Sequence, residues 1–141
     1  MNTLSSIPHR PPFLFVDEIL EVDEKRIVTR TQVDPQWDCF RGHYPGNPVM
    51  PGVLLCEACF QSGALLMAQR AQAKGGDAVP VLTRIGDARF KQIVQPGEML
   101  QTEVTLDETV DNAYVMTARM TSNGRQVLRV TFTCMLVAGE S

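Results

Sequence analysis

The stretch that decides the fold is Val53–Ala68, which reads VLLCEACFQSGALLMA. It contains no proline and is apolar on nearly every side, a pattern typical of a helix that is buried around most of its circumference. Pro51 stands just before it, where the first helical turn tolerates proline because the missing N–H would have no partner. Polar residues begin at Gln69, and the Lys-Gly-Gly run at 74–76 predicts the end of the helix. We therefore expect one long, largely buried helix.

Three segments of alternating polarity follow this helix. Residues 100–106, 114–120 and 128–136 place mostly apolar side chains at every second position, which predicts strands with one buried face. The sequence SNGR at residues 122–125 predicts a tight hairpin, because Asn-Gly accepts the positive φ angles of a type I′ turn. The β-branched residues of Lys25–Val33 predict another strand. One apolar helix beside several antiparallel strands predicts an α+β architecture, with the sheet wrapped around the helix.

Two segments before the helix carry weaker signals. Phe13–Glu21 is apolar with scattered acids and fits either a strand or a short helix. Asp34–Gly52 is dense in proline and glycine, so it is predicted to be a long loop. Long ordered loops in compact domains often carry function.

Composition narrows the class of protein. A chain of 141 residues that is 44% hydrophobic fits a single domain, residues 1–141, with its own core. A formal net charge of -3 argues against a surface built to neutralise nucleic-acid phosphates. The N-terminal residues do not follow a secretory pattern, and no apolar run of about 20 residues predicts a membrane span. The four cysteines are expected to be reduced thiols in the cytoplasm.

Glu57 is the outlying residue of the apolar helix. A carboxylate among apolar neighbours is costly when it is ionised and unpaired, so such a site favours the neutral acid. A neutral carboxylic acid at pH 7 is a proton donor. Alternatively, Glu57 stabilises the helix N-terminus through the helix dipole or reaches the surface. Gln61 lies one turn later on the same face, where it could orient Glu57, bind a ligand or be a satisfied polar group.

Other residues near Glu57 in the sequence fit proton-transfer chemistry. His43 precedes a loop stiffened by prolines and could be a general base near neutral pH, although a loop histidine can equally be structural. Gly52 would present a bare backbone N–H at the helix N-terminus, which could stabilise developing negative charge or simply permit a tight turn. His9, between Pro8 and Arg10, is interpreted as structural.

The cysteines offer an alternative interpretation. Cys39, His43, Cys56 and Cys59 can be written as a zinc-ligand set. Only one Cys-x-x-Cys pair is present, however, and it lies on the apolar helix, where cysteine packs as a small hydrophobe. We therefore favour core packing over a zinc site or a redox pair.

A cluster of cations follows the helix. Arg84, Arg89 and Lys91 could meet an acidic partner or a phosphate, or they could line a solvated strand edge. No Gly-rich phosphate loop, dinucleotide fingerprint or Gly-x-Ser-x-Gly motif is present in the sequence. The sequence therefore gives no sign of a nucleotide site or a serine nucleophile.

The run 43–61, HYPGNPVMPGVLLCEACFQ, resembles the central motif of the (3R)-hydroxyacyl-[acyl-carrier-protein] dehydratases, the FabZ-like type of the hotdog superfamily. The segments IPHRPPFLFVD at 7–17, ARFK at 88–91 and VQPGE at 94–98 are similar to the start, a later strand and a turn of this family. The likeness spans nearly the whole chain. It implies a hotdog fold, in which an antiparallel sheet wraps around a long central helix.

The resemblance also implies a reaction, a set of roles and partners. The reaction is loss of water from a 3-hydroxyacyl thioester, and it requires no metal or redox cofactor because only protons move. His43 of one subunit would be the base, Glu57 of the other subunit the acid, and the Gly52 amide the donor to the thioester oxygen. The implied assembly is a homodimer, often a trimer of dimers. The implied partner is an acyl carrier protein with a phosphopantetheine-linked acyl chain, docked at Arg84, Arg89 and Lys91.

Some positions depart from the family pattern, and other functions share the fold. Phe60 stands where the family usually has alanine, so the pocket wall or the helix packing is expected to differ. Gln92 and Ile93 replace a common Arg-Pro pair, which weakens the inferred docking surface. Related dehydratase–isomerases carry aspartate at the position of Glu57, which favours dehydration without isomerisation. The alternatives are an acyl thioesterase of the same fold and a non-catalytic acyl-binding subunit.

Overall fold

The computed structural model describes residues 4–42, 46–73 and 78–138. Within these ranges, six strands form one antiparallel sheet in the order β1-β2-β4-β5-β6-β3, which wraps around a long helix, α2. This arrangement confirms the predicted α+β hotdog architecture. The elements after a 3₁₀ turn at Leu4–Ser6 are β1 (Glu18–Val22), β2 (Arg26–Gln32), α1 (Cys39–Gly42), α2 (Gly52–Ala73), β3 (Ala78–Phe90), β4 (Met99–Val110), β5 (Ala113–Ser122) and β6 (Arg125–Ala138).

The central helix forms as the sequence predicts. Every side chain from Ala58 to Ala68 is buried, in keeping with a helix that is apolar around most of its circumference. The carbonyl oxygen of Pro51 accepts a hydrogen bond from the amide of Leu55 at 3.1 Å, which begins the helical pattern. No helix in the described part of the chain is long and apolar enough to cross a membrane.

The inner face of the sheet packs against α2. The predicted hairpin is confirmed: Asn123 and Gly124 have φ angles of 52° and 78°, and Ser122 pairs with Arg125. The alternation in β4, β5 and β6 is confirmed as well. The inward side chains, each at most 5% exposed, are Leu100, Thr102, Val104, Met116, Ala118, Met120, Leu128, Val130, Phe132, Cys134 and Leu136.

Two segments before the helix differ from the expectations. Asp34–Gly52 is not loop throughout, because it contains α1 and the first residue of α2. The rings of Trp37 and Phe40 stack with their centroids 6.5 Å apart, and buried Phe40 anchors the short helix, so aromatic packing offsets the weak local helix signal. In Phe13–Glu21 only the part from Glu18 forms a strand.

Strand β3 forms one edge of the sheet. It pairs with β6 on one side, and every residue from Val81 to Phe90 is exposed. Ile85 and Phe90 remain 53% and 52% exposed. A long apolar edge strand with unpaired backbone groups is a ready template for another strand. The β3 edge is therefore exposed along most of its length.

Candidate active site

Glu57 lies in the second turn of α2, and Gln61 holds its side chain. The Nε2 group of Gln61 donates a hydrogen bond to Oε2 of Glu57 at 3.0 Å, as their spacing of one helical turn allows. The Glu57 side chain is 22% exposed. Among the described residues, the polar contacts of the Glu57 carboxylate with Gln61 and His9 are made by Oε2.

Gln61 also ties the helix to the N-terminal segment. Its Oε1 accepts a hydrogen bond from the amide of Phe15 at 2.8 Å, and its Nε2 donates to the carbonyl of Phe13 at 2.9 Å. The residue is 0% exposed. Both amide hydrogens are thus used by Phe13 and Glu57, which favours the orienting role over direct contact with a ligand.

His9 lies beside Glu57, which the sequence did not indicate, and its structural interpretation stays a prediction. Its Nε2 lies 3.6 Å from Oε2 of Glu57, which is close enough for an ion pair but too long for a hydrogen bond. Its Nδ1 is buried without a hydrogen-bond partner in the described ranges. His9 and Glu57 are far apart in the sequence, so spacing gave no signal. Only the likeness of residues 7–17 to the start of a known family pointed to this segment.

The two other residues predicted around Glu57 have different outcomes. His43 lies outside the described residues, so its distance from Glu57 stays a prediction. Gly52 is the first residue of α2, and its amide has no hydrogen-bond acceptor within the described residues. A Cβ atom at Gly52 would lie 3.0 Å from Cε1 of Phe90, so the glycine lets this ring approach the helix N-terminus. In the preceding loop, the Met50 amide donates a hydrogen bond to the Val94 carbonyl oxygen at 2.7 Å.

A small cavity opens beside Glu57. It has a volume of about 130 Å³ and lies between α2 and the β3–β6 edge of the sheet. Its polar lining groups are the carboxyl group of Glu57 and the imidazole of His9, and the remaining lining side chains are apolar except for the Cys134 thiol. The lining residues are His9, Glu57, Phe60, Ala64, Pro80, Leu82 and Cys134. The arrangement suits acid–base chemistry on a substrate with an apolar tail.

The cysteines occupy positions that suit packing. Cys56, Cys59 and Cys134 are buried, and all four cysteines are free thiols. Burial raises the pKa of the Cys59 thiol and raises that of Cys134 to about 12, so both are inert thiols at neutral pH. Within the described ranges, no three His, Cys, Asp or Glu side chains cluster as a metal site would require. His43, the fourth member of the hypothetical zinc set, lies outside those ranges.

The three cations predicted for docking lie at the exposed β3 edge. Arg84 and Arg89 belong to β3, and Lys91 follows it directly. Arg89 Nε pairs with Asp87 Oδ2 at 2.7 Å, whereas Arg84 and Lys91 form no ion pair among the described residues. The three cations therefore lie at an exposed strand edge, and whether they dock a partner stays a prediction.

Comparison with known proteins identifies the family. The family model described as "FabA-like domain" matches residues 7–131. A protein of Symbiobacterium thermophilum named 3-hydroxyacyl-[acyl-carrier-protein] dehydratase FabZ is 44% identical over 101 residues, covering 71% of this chain and 70% of the relative. A Rickettsia felis protein of the same name is 39% identical over 134 residues, covering 92% and 90%.

Solved structures share the fold at low sequence identity. The dehydratase heterocomplex ApeI:P from Xenorhabdus doucetiae matches with a TM-score of 0.82 at 12% identity, over 97% of this chain and 91% of that chain. A hypothetical thioesterase with coenzyme A from Streptococcus pneumoniae matches with a TM-score of 0.67 at 20% identity, over 88% and 90%. Because the family model spans most of the sequence and the FabZ relatives are similar over most of their length, the chain belongs to the FabA-like family of hotdog-fold proteins, alongside the FabZ dehydratases.

Proposed function

We propose that this chain is a hydro-lyase of fatty-acid biosynthesis that converts (3R)-3-hydroxyacyl-[acyl-carrier-protein] into trans-2-enoyl-[acyl-carrier-protein]. The observation that carries this proposal is the carboxyl group of Glu57 on the central helix, which Gln61 holds in the wall of a largely apolar cavity. The FabZ relatives, which are named for this reaction, support it.

The elimination needs a base and an acid on either side of the bond that becomes double. His43 removes a proton from C2 of the thioester, and the electron pair of that C–H bond forms the C2=C3 double bond. The C3–O bond breaks as Glu57 gives its proton to the departing hydroxyl, which leaves as water. Each positioned acid or base typically contributes about 100-fold to 10,000-fold in rate. Both residues return to their starting states when Glu57 regains a proton from solvent and His43 releases one.

The Gly52 amide serves the thioester oxygen. Negative charge builds on this oxygen as the C2 proton leaves, and a donor at a helix N-terminus stabilises it. The amide has no acceptor among the described residues, so it can donate to a substrate. A single donor of this kind contributes roughly 100-fold to 1,000-fold in rate. Gln61 has a different role, which is to orient Glu57.

A complete site needs two subunits in this proposal. His43 of one protomer works with Glu57 of its partner, and the exposed β3 edge offers the surface through which two copies can join. Antiparallel pairing of two β3 strands would extend the sheet and cover Val81, Ile85 and Phe90, which are 42%, 53% and 52% exposed in one protomer. The resulting homodimer, and a trimer of dimers built from it, is tested by measuring the mass in solution.

The same edge supports docking of the carrier. Arg84, Arg89 and Lys91 form an exposed cationic site for an acidic acyl carrier protein that brings its phosphopantetheine-linked chain. Residues 1–141 act as one domain in this proposal. The four free thiols suit a reducing compartment such as the cytoplasm.

Product analysis tests the proposed reaction. Incubation of the protein with a 3-hydroxyacyl carrier substrate should produce the absorbance of a conjugated enoyl thioester without release of free thiol. Release of thiol without enoyl absorbance would instead identify a thioesterase. Binding of the substrate with neither product would leave a non-catalytic acyl-binding protein and overturn the proposal.

A further inference from the structure

Two side chains face the same oxygen of the Glu57 carboxyl group. Gln61 Nε2 donates a hydrogen bond to Oε2 at 3.0 Å, and Nε2 of His9 lies 3.6 Å from this same atom. Gln61 belongs to α2, whereas His9 belongs to the N-terminal segment that precedes β1. The side chains of His9 and Glu57 are 27% and 22% exposed, and both line the cavity. Two separate parts of the chain therefore approach the carboxyl group at Oε2.

The Gln61 amide determines the chemical character of Oε2. Its own oxygen accepts a hydrogen bond from the Phe15 amide at 2.8 Å, and its nitrogen donates one to the Phe13 carbonyl oxygen at 2.9 Å. These two backbone partners fix the orientation of the amide, so an N–H group points at Oε2. A neutral carboxylic acid has one acceptor oxygen of the carbonyl type and one hydroxyl oxygen that carries the proton. An N–H donor at Oε2 favours this oxygen as the acceptor and leaves the proton on Oε1.

The imidazole of His9 complements this arrangement when its proton is on Nε2. An N–H group at Nε2 adds a second donor to the acceptor oxygen, whereas a bare nitrogen would set two lone pairs against each other. Nδ1 is buried and has no hydrogen-bond partner in the described ranges. The tautomer with its proton on Nε2 therefore also avoids a buried N–H group without an acceptor. The ring is supported by that of Phe13, with planes at 26° and centroids 6.4 Å apart.

We propose that His9 is a positioning residue for the dehydration, which presents its Nε2–H group to Oε2 of Glu57 and so keeps the acid proton on Oε1. The inference rests on the proposed function, because it explains how the acid of that reaction is oriented. The separation of 3.6 Å is longer than a hydrogen bond, but catalytic hydrogen bonds are often long without substrate and tighten when it binds. Loss of this donor lets the carboxyl group place its proton on either oxygen, which lowers kcat more than it changes KM.

A pair of His9 variants distinguishes this role from a purely structural one. His9→Phe keeps an aromatic ring that can stack on Phe13 but has no N–H donor, whereas His9→Gln loses the ring and supplies a side-chain N–H group. In an assay of enoyl formation, kcat of His9→Phe should fall about tenfold, which is the effect of one hydrogen bond, while KM stays within about threefold. The kcat of His9→Gln should exceed that of His9→Phe at least about threefold. A role in ring packing alone would give the opposite order.

The position of the imidazole proton gives a readout that does not depend on activity. The chain has two histidines, so in His43→Ala the remaining imidazole ¹⁵N signals belong to His9. A proton on Nε2 supports the inference, and a proton on Nδ1 alone would overturn it. This measurement decides the matter if His9→Phe fails to fold, as judged by urea unfolding.

The kinetic outcomes separate the inference from the proposed function. Wild-type kcat in a folded His9→Phe protein would overturn the inference, as would a His9→Gln protein no more active than His9→Phe. A wild-type protein that forms no enoyl product would instead reject the proposed function.

Discussion

Replacement of Glu57 by glutamine removes the acid and keeps its shape. In the structure, Oε2 accepts a hydrogen bond from Gln61 Nε2 at 3.0 Å, and an amide oxygen can accept the same bond. The new amide hydrogens can reach water, because the side chain is 22% exposed. We therefore expect the free energy of unfolding to change by less than about 1 kcal/mol, the scale of one neutral hydrogen bond.

Activity should respond very differently from stability in Glu57→Gln. An amide cannot protonate the leaving hydroxyl, so kcat should fall about 100-fold to 10,000-fold, which is the usual contribution of a positioned acid. That range corresponds to about 3–5 kcal/mol of lost transition-state stabilisation. The assay follows enoyl absorbance from a 3-hydroxyacyl carrier substrate, and urea unfolding measures stability on the same preparation.

A control variant distinguishes the loss of the Glu57 carboxyl group from the loss of a negative charge elsewhere on the surface. Glu108→Gln removes an exposed carboxylate on β4, so its kcat and its stability should both match those of the wild type. If Glu57→Gln kept kcat within about threefold of the wild type, the acid role would be refuted, since a positioned acid is worth at least about 100-fold. A large drop in stability would show that the hydrogen-bond arrangement is misassigned.

Further expectations concern the scaffold, the docking edge and the thiols. Gln61→Leu should lower the free energy of unfolding by about 1–3 kcal/mol because it orphans the buried Phe15 amide, and an unchanged urea midpoint would contradict this. Arg84→Glu should raise KM several-fold for a carrier-linked substrate, because it reverses a charge at the rim of the proposed docking surface. The variant should leave kcat and KM unchanged for a pantetheine thioester without the carrier. Equal effects on both substrates would refute docking. Burial raises the pKa of Cys134 to about 12 from 9.0, so the folded state favours the neutral thiol. The contribution of this thiol to the free energy of unfolding should therefore be fully present below pH 9 and be lost as pH rises towards 12. Cys134→Ala should reduce the loss of stability over that pH range.

Local signals account for the parts of the fold that sequence reasoning predicted. The helix α2 is apolar on all sides and free of proline, and β5 and β6 combine alternation with an Asn-Gly turn. Strand β3 carries no such signal, because an edge strand that is exposed on both faces shows no alternation of burial. The short helix α1 depends on the stacking of Trp37 on Phe40, which is a tertiary contact of the kind that local propensity cannot reveal.

The residues of the candidate site were also predicted only in part. Glu57 and Gln61 were found because a polar pair one turn apart is conspicuous in an apolar helix. His9 was not found, since only the folded chain brings the N-terminal segment to within 3.6 Å of the carboxylate. The position of Phe60 in the cavity wall likewise depends on how β3 and β6 pack on α2, which helical spacing alone does not determine.

Mixing two inactive variants tests the shared site most directly. His43→Ala and Glu57→Gln proteins are each inactive by this account, but a mixed dimer combines His43 of one subunit with Glu57 of the other at one of its two sites. After subunit exchange, verified by mass spectrometry of the intact dimer, the mixture should recover about one quarter of wild-type activity, because half of the dimers are mixed and each has one intact site. A mixture that contains mixed dimers yet stays as inactive as its parents would contradict the account.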